Sequence, residues 1–552
     1  MNRRAVLGSL TAAAISGLSA RPQTPRTEGQ RPTFYEPWQF GAVGDGKALD
    51  SPAINKAIDA CTAVGGGIVY LRPGTYRSGT VVLKSNVTLY VEAGATILGS
   101  LDLADYTEMS GPSHKGDANQ THLIFARDQE NVTLAGPGKI DGQGSHFWVP
   151  SGRAPLSEQD QWAEVAAHSM MKNPNGRPSP MLEFVGCRWL RVEGLRIENA
   201  AGWTMRPINC DNVLLHGLSI KNPNIGSNTD GMDITGCQNV FVSDCSIDTG
   251  DDCICLKSEN PYGPEPRVGR NITITNCTMT TCCNGFKLGT ATEGGFENIT
   301  FSNSVIYNNS EAYKDRVISG IALEIVDGGW IDGVVVTGIR MQRTRTPIFI
   351  RLGNRSAKHK YPQNGVRNIS ISNIEASDAL LASSITGIPG RIVENVSIDQ
   401  VRISNSLPPR PEWVDLKVPE REDKYPEARM FGMLPVSGLY VRHARGVQLR
   451  NIEFRNSPGE MRPTLMSDDV QDILVDGLRT TPIAGPQPVI AMQDTSNAWV
   501  RNCAAPARAA SFLRALGDGS KEILVSGCDL RSAAAPVDSS SKSAVVTLHN
   551  NI

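Results

Sequence analysis

Aromatic residues are scarce in this 552-residue chain, at 6%, while glycine is abundant at 53 residues. With many short β-branched runs, that balance favours a turn-rich β protein. Charge of one sign is also lacking. The 54 basic and 56 acidic residues nearly cancel, which leaves no electrostatic case for nucleic acid or an anionic membrane surface as partner. Past the N-terminus no run reaches the roughly 18 apolar residues of a membrane-spanning helix. The 12 cysteines contain no C-x-x-C pair matched to another at zinc spacing, and few of the 8 histidines lie nearby. Length alone suggests two to four domains, unless the architecture is elongated.

The first twenty residues, MNRRAVLGSLTAAAISGLSA, place Arg3 and Arg4 before an apolar stretch of small residues that ends at Ala20. This resembles a bacterial twin-arginine export signal. Residues 21–33 then read as a linker, and the expected location is periplasmic or extracellular.

The phrase N-V/I-x-V/L/I recurs along the rest of the chain. It is found at NVTLYVEAG (86), NVTLAGPGKIDG (131), NVLLHGLSI (212), NVFVSDCSI (239), NITITNCTM (271), NITFSNSVI (298), NISISNIEA (368) and NVSIDQVRI (395), with weaker copies at 446, 472, 497 and 522. Successive central starts differ by 27, 32 and 27 residues, and late ones by 26, 25 and 25. Such a period with β alternation predicts an all-β solenoid, a right-handed single-stranded parallel β-helix over residues 34–552. One continuous core then removes the need for several domains. DSPAINKAIDACTAV (50–64) predicts an amphipathic helix capping the first coil, with Asp50 or Ser51 as its N-cap and Ile54, Ala57, Ile58 and Cys61 on one face. Insertions near 102–122, 146–182 and 406–434 break the repeat. They are expected as loops that either wall a binding site or stay solvated. The cysteines recur at equal places in the repeat, as Cys245 with Cys277 and Cys503 with Cys528, which predicts stacked interior thiols.

Aligning SNTDGMDI, GDDCICLK, CCNGFKLG, ISGIALEI and RTPIFIRL coil on coil gives two inward columns. One holds Met232, Ile254, Phe286, Ile321 and Ile348; the other holds Ile234, Leu256, Leu288, Leu323 and Ile350. The same register puts Asp230, Asp252, Asn284 and Ser319 in one column, with Asp251 beside them. Coils stack about 4.8 Å apart, so Asp230 and Asp252 become close like charges, which raises the pKa of one. Hydrolysis of a glycosidic bond needs such a group: one acid for the leaving oxygen and carboxylates to activate water. A calcium site that includes Asn228, or a polar ladder at a turn, are the alternatives.

Several motifs in order resemble glycoside hydrolase family 28, the polygalacturonases and their relatives, from about Phe40 to at least Arg355. They are FGAVGDGKALDSPAINKAIDAC (40–61), GKIDGQGSHFW (138–148), NTDG (228–231) and GDD (250–252). The resemblance implies Asp251 as general acid and Asp230 with Asp252 as holders of the attacking water. It also implies inversion at the anomeric carbon, no metal or organic cofactor, and a plant cell-wall type polysaccharide or oligosaccharide as substrate. It places substrate contacts at Asn228, Asn284 and Gly285. The family's G-H-G motif falls at Cys283-Asn284-Gly285, so its histidine is Asn284. Its R-I-K motif, which grips the galacturonate carboxylate in polygalacturonases, falls at Ala322-Leu323-Glu324. Neither Ala322 nor Glu324 can grip a carboxylate. The expected substrate is therefore rhamnogalacturonan-like or otherwise distinct from homogalacturonan. Lys287 and Arg206 are the candidate compensating cations, with Arg351 further along; for each, the alternative is an ordinary solvated residue. Trp203 suits either sugar stacking or core, and His146 and His168 take no role. The rival readings are a β-helical polysaccharide lyase and a non-catalytic glycan-binding β-helix.

Overall fold

In the computed structural model, residues 34–552 are described except 110–119, 153–168, 312–314, 357–363, 539 and 541–544. The expected export segment and linker, residues 1–33, lie outside the described residues, as do His168 and Trp162. Among the described residues, 38 strands pair into one continuous, coiled, parallel ladder. The chain is thus a parallel β-helix, and Phe34–Ile552 is a single compact unit.

Each central coil has three strands. Met232–Thr235, Gln238–Ser243 and Ser246–Thr249 make one coil. Ile254–Ser258, Gly269–Thr275 and Thr278–Thr281 make the next. The two stack strand on strand, Met232 on Ile254, Val240 on Ile272 and Ile247 on Met279. The register is the one the apolar pairs predict. Ile254 pairs with Phe286, Phe286 with Ile321, and Ile321 with Ile348, while Leu256, Leu288, Leu323 and Ile350 form the neighbouring column. All of these residues are buried in one core that runs the length of the cylinder.

The asparagine that opens each repeat has a backbone cause. Asn86, Asn131, Asn212, Asn239, Asn271, Asn298, Asn368 and Asn395 all adopt left-handed φ between 53° and 63°. Asparagine tolerates this corner conformation better than most residues with a Cβ. Its amide also reaches the next coil: Asn271 donates to Asn239 Oδ1 at 3.0 Å, and Asn298 donates to Asn271 Oδ1 at 3.1 Å.

The helix Ser51–Ala63 covers the first coil with Ala53, Ile54, Ala57, Ile58 and Cys61 buried. Asp50 is the N-cap residue, as expected, but its side chain makes no capping bond. Asp50 has helical backbone angles, and its carboxylate accepts instead from Val43 N and Gly44 N, at 2.7 and 3.0 Å. Ser51 Oγ accepts from Gly79 N. All 12 cysteines are free thiols, and all but the half-buried Cys283 are buried. No helix among the described residues is long and apolar enough to cross a membrane.

The insertions lie back on the cylinder. In 146–182, Trp148–Pro150 pairs antiparallel with Met170–Lys172, and the buried Trp148 donates to Ala201 O at 2.8 Å. In 406–434, Ala428, Phe431 and Leu434 pack on Ile318, Ala322, Phe349 and Tyr440, while Leu407, Trp413 and Met433 pack on Leu380 and Leu381. The described parts of both segments thus pack partly on the coils.

Replacing Asn271 by valine puts a β-branched side chain at positive φ and removes two ladder bonds. This is expected to cost about 1–3 kcal/mol, and Asn271→Gly, which keeps the corner unstrained, should cost less. Urea unfolding of the three proteins measures the difference; equal losses for valine and glycine would show that the corner conformation is not the constraint.

Candidate active site

The strand register brings the acids together where two coils turn into one sheet face. Gly231 N donates to Asp252 O at 2.8 Å, and Cys253 N donates to Asn284 O at 2.9 Å, so Asp230, Asp252 and Asn284 follow one another up the stack. Asp251 precedes Asp252 in the turn. Its carbonyl accepts from Thr249 and Thr281 hydroxyls at 2.7 and 2.6 Å, and its Oδ1 accepts from Asp252 N at 2.9 Å. Asp230 and Asp252 are buried and Asp251 is half-buried. All three open into one cleft of about 590 Å³, whose walls include Trp203, Asn228, Lys287 and Tyr425. A larger groove of about 720 Å³ shares the 259–267 segment as a wall; of its three acids, Asp128, Glu130 and Asp211, the last two are paired with Arg188 and Arg267.

Below the aspartates the outward-facing residues form a second column. Glu183 pairs with Arg206 in register, and Met205 on Met232 puts Arg206 level with Asp233. Asp233 pairs with Cys255, Cys255 with Lys287, and Lys287 with Ala322. Alternation sends these residues to the cleft side, where they are nonetheless buried. Charges taken from water must be compensated. Arg206 Nε donates to Glu183 at 2.7 Å, and His122 Nε2 lies 2.8 Å from the same carboxylate. Lys257 sits 3.0 Å from Asp233, and Lys287 sits 3.0 Å from Asp252 Oδ2. Burial alone would raise Glu183, but Arg206 and His122 bring it down to about 2. Burial dominates at Asp233, which rises to about 6 although Lys257 opposes. Asp230 is pushed well above the usual carboxylate range, first by burial and then by Asp233, Asp251 and Asp252. Asp252 lies below that range: burial opposes, but Lys287, Lys257 and the Asn284 amide prevail.

The other residues singled out from sequence divide. Asn228 lines the cleft, and its Oδ1 accepts from Arg177 at 3.4 Å. Lys287 and Arg206 line the cleft too, but as buried, paired ions; their reading as ordinary solvated residues is corrected, because each compensates a buried carboxylate. Asn284 does not line the cleft. It holds Asp252, donating to its Oδ1 from the side-chain amide at 2.7 Å and from the backbone at 3.2 Å. Gly285 faces the core, where an added Cβ would lie 2.9 Å from Ile306. Arg351 binds the 406–434 segment instead, donating to Glu420 O at 2.8 Å and Arg421 O at 3.1 Å. Trp203 has Lys257 and Arg206 over its ring, at 4.7 and 5.5 Å. His146 is exposed, edge-on to Phe147.

Several charged and aromatic residues in or beside the cleft escaped sequence reasoning. Lys257 and Asp233 were hidden because outward charges in a strand read as solvated. Tyr425 and Arg355 enter from segments outside the aligned coils: Tyr425 faces Lys287 and Arg355, whose cations lie 5.7 and 5.6 Å from its ring.

Glu324 is buried beside Lys287, with one carboxylate oxygen making no hydrogen bond. Burial raises its pKa to about 8, with Asp252 adding and Lys287 opposing. The folded chain therefore holds this proton more tightly than the unfolded chain, and stability falls as pH rises from the ordinary Glu value toward 8. Glu324→Gln mimics the neutral acid. Its thermal midpoint should match wild type near about pH 5 and exceed it by a few degrees at about pH 9. A difference that does not change with pH would mean that Glu324 is ionised throughout.

The sequence profile of glycosyl hydrolases family 28 matches residues 74–413. A probable polygalacturonase of Vitis vinifera is 25% identical over 383 residues, 66% of this chain and 73% of its own. An exo-poly-alpha-D-galacturonosidase of Dickeya chrysanthemi is 24% identical over 481 residues, 80% of this chain and 74% of its own. Among solved structures, a hyperthermoactive exopolygalacturonase from Thermotoga maritima superposes with TM-score 0.56 at 20% identity, covering 77% of this chain and 93% of that one. A family 28 exopolygalacturonase from Yersinia enterocolitica superposes with TM-score 0.55 at 20% identity, covering 85% and 78%. The chain belongs to glycosyl hydrolases family 28 and is a glycoside hydrolase.

Proposed function

We propose that this hydrolase cleaves pectin-type glycan by a single inverting displacement. The observation that carries this reading is the convergence of Asp230, Asp251 and Asp252, from two successive coils, at one cleft. Asp251, the most accessible of the three, gives its proton to the leaving oxygen as the glycosidic C–O bond breaks. Water between Asp230 and Asp252 attacks the anomeric carbon from the opposite face and gives up its proton to a carboxylate.

The charge of the cleft supports a substrate other than plain homogalacturonan. Among the described residues its cations are Arg206, Lys257, Lys287 and Arg355. Each is engaged with an acid, Arg355 with Asp327. The position of the family's gripping arginine is Ala322, covered by the 406–434 segment. Among the described residues a repeated uronate would find no uncommitted cation in the cleft, whereas rhamnogalacturonan or a neutral pectic sugar has less charge to satisfy. Tyr425, half-exposed on the wall, offers a face for a sugar ring. The names of the relatives favour polygalacturonate as the second reading. Export of the chain is part of the proposal and rests on the twin-arginine-like segment.

The protein should be incubated with polygalacturonate, rhamnogalacturonan and neutral pectic oligosaccharides, with and without a chelator. New reducing ends are expected fastest from rhamnogalacturonan or the neutral oligosaccharides. Asp251→Asn should lower kcat by roughly 10²–10⁴-fold. A faster rate on polygalacturonate would overturn the substrate assignment alone. Ultraviolet-absorbing, chelator-sensitive products would replace hydrolysis with a lyase reaction, and no product at all would favour a binding protein.

A further inference from the structure

We infer that Lys287 is a positioning residue: its ammonium fixes Asp252 as the ionised carboxylate that accepts the proton of the attacking water. This rests on the reading of Asp230 and Asp252 as the water-activating pair and divides the work between them.

The argument begins with acceptor sites. An ionised carboxylate offers about four. On Asp252, Oδ1 takes the backbone and side-chain N–H groups of Asn284, at 3.2 and 2.7 Å. Oδ2 takes the Lys287 ammonium at 3.0 Å. One site on Oδ2 is left, enough for a single water. Asp230 is held differently: it is buried, and its Oδ1 makes no hydrogen bond. Two carboxylates this close in a dry site do not both ionise readily. The cation that Lys287 places against one of them decides which does.

The surroundings leave that assignment intact. From its own coil Asp252 faces Asp251, Cys255 and Lys257; from the coil before it faces Asp230 and Asp233. From the coil after it come Asn284, Lys287 and Cys283, whose Sγ lies within 4.8 Å of carboxylate oxygens of Asp251 and Asp252. Beyond them are Glu324 and, from the 406–434 segment, Tyr425. Lys257 is committed to Asp233 at 3.0 Å. Glu324, the other acid near Lys287, is held mainly neutral below about pH 8 by burial. Lys287 is thus the cation bonded directly to Asp252, and it is itself 3% exposed.

The test compares wild type, Lys287→Met and Lys287→Arg on whichever pectic glycan the wild type cleaves. Lys287→Met should lower kcat roughly 10–100-fold with little change in KM, and move the acidic limb of the kcat/KM profile up by about one pH unit or more. Lys287→Arg should restore most of both. A raised KM with the acidic limb unmoved would overturn the proposal and make Lys287 a substrate contact. A second measurement needs neither turnover nor a Lys287 variant. The Asp252 carboxylate band, isolated as the infrared difference between wild type and Asp252→Asn, should titrate below the ordinary value of 3.8. A midpoint at or above that value overturns the proposal. If the wild type cleaves no glycan, the hydrolytic reading fails, while an infrared midpoint at or above 3.8 still overturns the role given to Lys287.

Discussion

The structure depends on the register of the parallel ladder. Each coil lies one strand spacing from the next, so a residue's neighbours up and down the cylinder are fixed by its position within the coil. The inward columns, from Met232 to Ile348 and from Ile234 to Ile350, exist because a slip of one residue would turn every core side chain outward. The same constraint sets Asp252 over Asp230 and Lys287 beside Asp252. The asparagine corners hold it in place: their left-handed φ sets where each strand restarts, and their amides tie one corner to the next.

Placing charges on the cleft side of that ladder has an electrostatic consequence. Arg206, Asp233, Lys257 and Lys287 are outward by alternation, yet the insertions and neighbouring coils bury them. Buried charges are tolerated only in compensation, and they form local pairs: Glu183 with Arg206 and His122, Asp233 with Lys257, Asp252 with Lys287. In so dry a setting small differences in partnership separate chemically identical groups. Asp252, with a cation and two N–H donors, lies below the carboxylate range; Asp230, with acids for neighbours, lies far above it. Three aspartates of one sequence type thereby come to differ in chemistry.

The insertions turn a generic solenoid into a particular site. Arg177, from the 146–182 segment, donates to Ser227 O at 3.0 Å and to Asn228, which fastens the corner just before Asp230. The 406–434 segment covers Ala322 and Phe349 with its own apolar residues and carries Tyr425 to the cleft wall. At Ala322, the position to which the motif resemblance assigns a carboxylate-reading arginine, the segment makes an apolar contact with the coils, and Arg351 holds it at the base. Specificity on a β-helix is set by what is laid over the coils, since the coils themselves are nearly uniform.

The fold was legible because its signals are periodic and local. The repeated asparagine, the alternating apolar pairs and the amphipathic stretch at 50–64 each repeat or run over many residues, and the column alignment follows from them. The position of Asp50 as N-cap was legible, but its carboxylate turns away from the helix because Val43 N and Gly44 N, which the cap pattern does not reveal, lie within its reach. In the site, the juxtaposition of Asp230, Asp251 and Asp252 could be read by stacking the repeats. What covers the coils could not. Lys257 and Asp233 carry no signal in the sequence, and Gly285 and Arg351 read as site candidates, because burial depends on contacts that the repeat does not show. The sequence by itself determined the coil, its register and the column of acids, since these follow from alternation and period. Only the tertiary structure decided which charges are buried, which carboxylate each cation holds and what walls the cleft, because desolvation and ion pairing depend on contacts between segments that no period relates.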